Sequence, residues 1–255
     1  KMSIEKKEIF LNKRLIGFST GFLNLGSSPN LREAITICKN IGCNAIELNC
    51  SIEELNKLDK SFLDDFKFIS FHAPGMTGGK ESFKLLSAIE GFHKKFNFNA
   101  IVIHPDEIKN WEIFNSFDLP ISLENMDNHK KTGRFLRDMK KFASLGNFKI
   151  TIDINHCFVN DHSLKLADDL FREFQEKISH FHLSGHFKLH DPLVLTNQKK
   201  IIDFVSDKKL PIIIESMCIN EEEARVEFNF IETILYPQKF NKTESRNTKI
   251  DFVDS

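Results

Sequence analysis

Seven short apolar runs in this chain each stop on an ionisable side chain: Glu47, His72, His104, Glu124, Asp153, His182 and Glu215, with His156 just beyond Asp153. Imidazole and carboxylate are the donor types that bind Zn²⁺, Mn²⁺ or Fe²⁺. Crowded into one cavity without a cation, they would repel one another or lose their hydration. The pattern therefore predicts a divalent-metal centre of one to three ions, provided the fold brings the seven run ends together. A single strand-end histidine or glutamate is usually just a hydrogen-bonded rim residue. Seven in succession are harder to explain that way.

The segment His180–Asp191 holds four histidines, at 180, 182, 186 and 190. His182 ends its run and is the expected ligand. His186 and His190 fall on the following loop, as ligands or substrate contacts. His180 lies one layer deeper and reads as a packed core histidine. The His182-x-x-x-His186 spacing imitates a helical zinc pair, but Gly185 breaks the helix and Leu183 replaces the glutamate of H-E-x-x-H. Pro74–Glu81 imitates a phosphate loop, with Pro at its first glycine position and Glu81 where the magnesium-binding hydroxyl belongs. Lys130, Arg134, Arg137 and Lys141 have helical spacing and read as a solvated helix face, with Lys130 and Arg134 near enough to the Glu124 end to reach a substrate phosphate. No cysteine has a nucleophile's setting; Cys157 reads as core.

The elements that must position these residues are legible from the runs themselves. Eight runs (16–19, 45–47, 68–72, 100–104, 119–124, 149–153, 178–182 and 211–215) are nearly continuous in β-branched and aromatic residues, as in strands covered on both faces of a parallel sheet. Amphipathic stretches between them read as helices. Pro29-Asn30 opens one and Gly42 closes it; Ser51-x-x-Glu54 forms a capping box, and Asn220 before three glutamates starts the last helix. From Glu47 on, the run ends are 20 to 33 residues apart, room for one strand, one helix and two loops. Eight such units match a (β/α)8 barrel of ~250 residues. An open doubly wound sheet would carry G-x-G-x-x-G after its first strand, and that motif is absent. The fold class expected is α/β, a single (β/α)8 TIM barrel over residues 14–235, with an N-terminal extension at 1–13 and a polar tail at 236–255. In such a barrel all strand C-termini meet at one mouth. Small residues two positions before most run ends, such as Ala45, Ser70 and Ser122, fit inward pointing in a narrow lumen.

Composition limits the partners. The 255 residues carry 35 Lys and Arg against 36 Asp and Glu, a formal net charge of −1, so no global basic field draws in nucleic acid or anionic lipid. No run approaches the ~20 apolar residues of a membrane span, and residues 1–7 lack a signal peptide's apolar centre. Five cysteines without a Cys-x-x-Cys pair suit a reducing compartment, so a cytoplasmic protein is expected.

The strand-end motifs Phe71-His72-Ala-Pro, Ile103-His104-Pro, Leu123-Glu124-Asn-Met-Asp, Ile152-Asp153-Ile-Asn-His156, Phe181-His182-Leu-Ser-Gly and Ile214-Glu215-Ser resemble the xylose isomerase-like TIM-barrel superfamily. That superfamily includes sugar isomerases and epimerases as well as endonuclease IV-type nucleases. The resemblance spans about residues 15–235 and implies a divalent ion held by Glu124, Asp153, His182 and Glu215. It implies Glu124 and Glu215 as the catalytic acid/base pair and His156 as a substrate contact. By analogy with the nuclease members, His72 and His104 join Glu124 on a further zinc and His156 becomes a ligand. Those members also carry Asp-x-His after the seventh strand. Lys188-Leu-His190 stands there instead, which removes a carboxylate from a third site unless Asp191 replaces it.

Two main readings follow. The first is an isomerase or epimerase of a small sugar, polyol or sugar phosphate, working through a metal-stabilised enediolate. Its substrate would be contacted by Glu47, His156, His186, Lys188 and His190. The alternative is a zinc phosphodiesterase acting on abasic DNA. The loop also resembles multinuclear non-heme iron oxidases that modify peptide cysteines, and a non-catalytic metal-binding barrel belongs to a different class again.

Overall fold

The computed structural model describes residues 14–23, 30–76 and 78–237. The expected N-terminal extension, Pro29 and nearly all of the expected tail lie outside the described residues. Eight parallel strands pair in chain order and close into a barrel, β1 against both β2 and β8. They are β1 (Ile16–Ser19), β2 (Ala45–Asn49), β3 (Phe68–His72), β4 (Ala100–Ile103), β5 (Ile121–Glu124), β6 (Lys149–Asp153), β7 (Ile178–Leu183) and β8 (Ile212–Ile214). The single (β/α)8 barrel read from run spacing is the fold observed.

The helices are α1 (Leu31–Ile41), α2 (Ile52–Lys57), α3 (Gly79–Phe96), α4 (Leu136–Ala143), α5 (Ile154–Asn160), α6 (Lys165–Phe174), α7 (Leu193–Thr196), α8 (Lys199–Ser206) and α9 (Glu221–Leu235). Their ends follow local chemistry. Asn30 caps α1 by accepting from Glu33 N, and Gly42 ends it at φ 94°, a left-handed conformation that favours glycine. The Ser51–Glu54 capping box forms at α2, and Asn220 caps α9. Between β4 and β5 the crossover is made only of short 3₁₀ turns, Pro105–Glu107 and Trp111–Ser116. Trp111, Phe114, Phe142 and Phe148 pack there with ring centroids 5.2 to 6.2 Å apart, taking the place of a covering helix.

The helix expected across residues 130–141 begins only at Leu136, because Gly133 at φ 83° turns the chain back so that its carbonyl accepts from Met126 N. Lys130 and Arg134 therefore share no helix face with Arg137 and Lys141. Lys130 pairs with Asp106 at 3.1 Å, and Arg134 Nε donates to Asn160 Oδ1 at 2.8 Å.

Inside the barrel, Ala45, Phe68, Ala100 and Ile213, with Leu15, plug the lower end. Above this plug lies a polar layer, and above that the strand-end residues.

Candidate metal centre

Glu124, Asp153 and Glu215 stand at or just beyond the ends of β5, β6 and β8, and His182 is the penultimate residue of β7. All four are at most 2% exposed. Each presents one ligand atom to a cluster in which these atoms lie within 4.8 Å of one another. A second cluster joins His72, His104 and the same Glu124. His72 Nε2 and His104 Nε2 both lie 3.3 Å from Glu124 Oε2, while Glu124 Oε1 lies 3.5 Å from His182 Nδ1 and 3.4 Å from His156 Nδ1. Glu124 thus spans both clusters.

Whether a cation fits can be judged from the unmet polar atoms. Glu124 Oε2, Asp153 Oδ2, His182 Nδ1 and Glu215 Oε1 are buried and make no hydrogen bond among the described residues. One such atom comes from each member of the four-residue cluster. A buried polar group without a partner costs roughly 1–3 kcal/mol, more when charged, so one such atom on every member of the cluster is a large penalty that a divalent ion bound there would lessen. Three carboxylates and one imidazole also suit Mn²⁺, Zn²⁺ or Fe²⁺.

Electrostatics in the ring follow from burial against pairing. Burial alone would raise the Glu124 carboxyl, but the charge of His182 and the imidazoles of His104 and His72 close by outweigh it and hold it well below the usual range. Burial also opposes ionisation of Glu215, and His182 again overcomes it. Asp153 is pushed up to about 7 by burial and by the Glu215 and Glu124 charges, against the pull of His156. His72 rises to about 9 because Glu124 and Glu47 outweigh its burial. Without a cation, the ring retains protons that a metal would displace.

The ligands are held by asparagines that sequence reasoning did not single out. Asp153 Oδ1 caps α5 by accepting from His156 N at 2.8 Å, leaving Oδ2 to the cluster. His156 Nδ1 donates to Asn125 O at 2.8 Å, which turns Nε2 toward Asp153 Oδ2 at 3.6 Å. Asn155 Nδ2 reaches Ser184 Oγ and Gly185 O, both at 2.7 Å, and Leu189 O at 3.1 Å, pinning the loop after β7. A side chain on Gly185 would strike Thr196 Oγ1 at 2.3 Å, so only glycine lets this loop pack against α7. Their only sequence signal was position, directly after a strand-end acid (Asn125) or two residues beyond one (Asn155).

That loop decides the open question of a third site. Asp191 Oδ2 accepts from the backbone N–H groups of Phe187, Lys188 and Leu189 at 2.8, 2.8 and 3.2 Å, so it is occupied in closing the turn. It does not replace the missing carboxylate. His190 Nδ1 turns to Ser184 Oγ at 3.0 Å, and His186 Nδ1 to Leu189 O at 3.3 Å. His156, His186, Lys188 and His190 instead line one cleft with His129 and Asn155. On the opposite side of the mouth a cavity of ≈ 200 Å³ is lined by Asn49, His72, Gly75, His104 and Glu107 among others.

Glu47 is the residue whose placement differs from expectation. β2 continues two residues past it to Asn49, and Glu47 is 0% exposed in the layer below the mouth. There it contacts Ser19, Ser70 and His182. The apolar pattern stops short of the strand end because Asn49 is polar, although Asn49 still pairs in register with His72.

No protein-family model matches this chain, and no curated protein matches it at a significant level. Solved structures do. Endonuclease IV from Thermus thermophilus superposes with a TM-score of 0.66 at 15% identity, covering 88% of this chain and 100% of that one. The 3-keto-D-glucoside 4-epimerase of E. coli gives 0.59 at 14% identity, over 87% and 100%. D-Psicose 3-epimerase from Clostridium cellulolyticum H10 gives 0.59 at 11% identity, over 88% and 99%. The fold is therefore the TIM barrel that these structures share, in line with the fold that the strand-end motifs implied. At such identities the likeness establishes architecture and leaves the chemistry to the residues.

Proposed function

We propose that this chain is a divalent-metal-dependent isomerase or epimerase of a small sugar, polyol or sugar phosphate. The observation that carries the reading is the set of four unpartnered buried atoms on Glu124, Asp153, His182 and Glu215. A cation held there would act as a Lewis acid on a carbonyl and adjacent hydroxyl, acidifying the carbon-bound proton. Glu124 and Glu215 flank His182 Nδ1 at 3.5 and 3.4 Å and, ionised, are bases able to exchange that proton with carbon. General acid/base transfer of this kind contributes ~10²–10⁴-fold. Both carboxyls are shielded from water, which sharpens their electrostatics.

His156 and His190 border the ring on the substrate side, with ring centroids 5.6 Å apart. With His186 and Lys188 they line a narrow cleft of ≈ 10 Å³, while the cavity with more room for substrate groups is the one of ≈ 200 Å³ beside His72 and His104. Exposed Lys188 supplies a cation at the mouth for an anionic substrate group.

The test is proton exchange. Ketopentoses, ketohexoses and their phosphates would be incubated with Mn²⁺- or Zn²⁺-loaded protein in D₂O and followed by NMR. Deuterium entering the carbon beside the carbonyl, and stopped by chelator, is the expected result; absence of exchange across the panel counts against the reading.

A second reading, zinc-dependent phosphodiester hydrolysis, draws on the His72–His104–Glu124 cluster, which a one-ion isomerase does not need. Two zinc ions per chain with cleavage of an abasic duplex would favour it, and iron as purified would favour oxidase chemistry.

A further inference from the structure

The structure assigns Glu47, seconded by His180, to a positioning role: it holds the proton of His182 on Nε2 so that Nδ1 is presented to the cation. The assignment rests on the metal-centre reading above and concerns a layer beneath it. Glu47 Oε1 accepts from Ser19 Oγ at 3.2 Å and Oε2 from Ser70 Oγ at 2.9 Å. His182 Nε2 lies 3.2 Å from the same Oε2, and His180 Nε2 3.5 Å from it. Two serine hydroxyls donate to Glu47, one to each oxygen, as suits an ionised carboxylate, which only accepts. The nearer imidazole nitrogen, His182 Nε2, must then carry hydrogen.

His182 has no freedom left once Nε2 is committed. Its Nδ1 faces Glu124 Oε1 and Glu215 Oε2, at 3.5 and 3.4 Å, and is the nitrogen left without a hydrogen bond among the described residues. A metal-bound imidazole that gives its other N–H to a carboxylate is fixed in orientation and becomes a stronger donor.

His180 is set by the same logic from the other side. β7 carries one extra residue here: Ile178 pairs with Ile150, but His180 pairs with Thr151. This bulge turns Ser179 inward beside His180. Ser179 Oγ lies 2.9 Å from His180 Nδ1 and 2.7 Å from Ser122 Oγ, which is itself 2.7 Å from Thr151 Oγ1. Ser179 Oγ donates to Ile150 O at 3.2 Å and so accepts from His180 Nδ1, which leaves His180 Nε2 bare to accept from His182 Nε2 3.0 Å away. A chain of polar groups thus runs from the hydroxyls of β5 and β6 through His180 and Glu47 to His182. Every member except the partly buried Ser179 is wholly enclosed.

Glu47, His180 and His182 are also close enough to ligate an ion themselves, and the experiment separates the two roles. Long-range ¹H–¹⁵N correlation on zinc-loaded wild-type protein should show His182 protonated at Nε2 and metal-shifted at Nδ1. A metal-shifted Nε2 would overturn the assignment. In parallel, zinc affinity by chelator competition should fall 10- to 100-fold in Glu47→Gln, recover partly in Glu47→Asp, and leave ion stoichiometry unchanged. Unchanged affinity in a folded Glu47→Gln removes the positioning role but leaves the centre standing, and loss of a whole ion makes Glu47 a ligand. Failure of wild-type protein to take up zinc would remove both. The wild-type spectrum decides alone if the variants do not fold.

Discussion

Asn125 and Asp153 exchange two hydrogen bonds across the mouth: Asn125 Nδ2 donates to Asp153 O at 3.1 Å, and Asp153 N donates to Asn125 Oδ1 at 2.8 Å. The asparagine side chain thereby extends the β5–β6 ladder beyond the point where the backbones diverge. It fixes the spacing between Glu124, its chain neighbour, and Asp153. Asn125→Ala should leave a buried N–H and C=O unmet and cost about 2–4 kcal/mol. Divalent affinity should fall with it, read by denaturant unfolding and by chelator competition.

Removing the bridging carboxylate lowers both stability and binding. In Glu124→Gln the metal-free protein should melt below the wild-type temperature at neutral pH, since His182 and His72 lose the ionised partner that pairs with them. The stabilisation conferred by Mn²⁺ or Zn²⁺ should disappear. A site filled at 100 Kd contributes ~2.7 kcal/mol, readily visible by calorimetry, and a retained metal-induced shift would contradict the proposed ligand set.

The pH dependence of the metal-free protein has a definite sign. Asp153 titrates at about 7 in the fold against an ordinary 3.8, and His72 at about 9 against 6.5. Both folded values lie above the unfolded ones, so the native state binds more protons across the window from about 4 to about 9. Stability is fully present at the acid end of that window and is lost as pH rises through 7 and then 9. Asp153→Asn should flatten the part of the Tm profile between about 4 and about 7. Apparent metal affinity should rise over the same step, as protons no longer compete.

The phosphate question has its own variant. Lys188 sits on a turn closed by Asp191 and lines the cleft beside His156. If substrates are phosphorylated, Lys188→Ala should raise KM about tenfold, the weight of one charge-assisted contact of about 1.4 kcal/mol. kcat, and turnover of unphosphorylated sugars, should hardly change. Steady-state kinetics on matched sugar and sugar-phosphate pairs would show it.

Glu227 anchors the neighbouring loops. Its buried carboxylate accepts from Ser216 Oγ at 2.6 Å, Leu193 N at 2.7 Å and Val194 N at 2.9 Å, joining the residue after Glu215 to the start of α7. Glu227→Ala should destabilise the chain by about 3 kcal/mol through the stranded donors, measured as a fall in Tm in both metal-free and metal-loaded protein.

The sequence by itself determined the barrel and the composition of its mouth. Parallel strands buried on both faces are largely apolar, so acids and imidazoles gather where the runs end, with Glu47 and His180 inside β2 and β7 as exceptions. Run ends at one-crossover intervals then mark a ring before any coordinates exist. Tertiary structure decided what depends on register and on partners distant in the chain. Asn49, rather than Glu47, ends β2 because pairing with His72 continues the ladder where the apolar pattern has stopped. Asp191 is taken up by three backbone donors, and one extra residue in β7 adds Ser179 to the lumen beside His180, whose inward placement strand parity already gave. A one-residue shift exchanges inside for outside in a strand, and no local pattern in the sequence reports it.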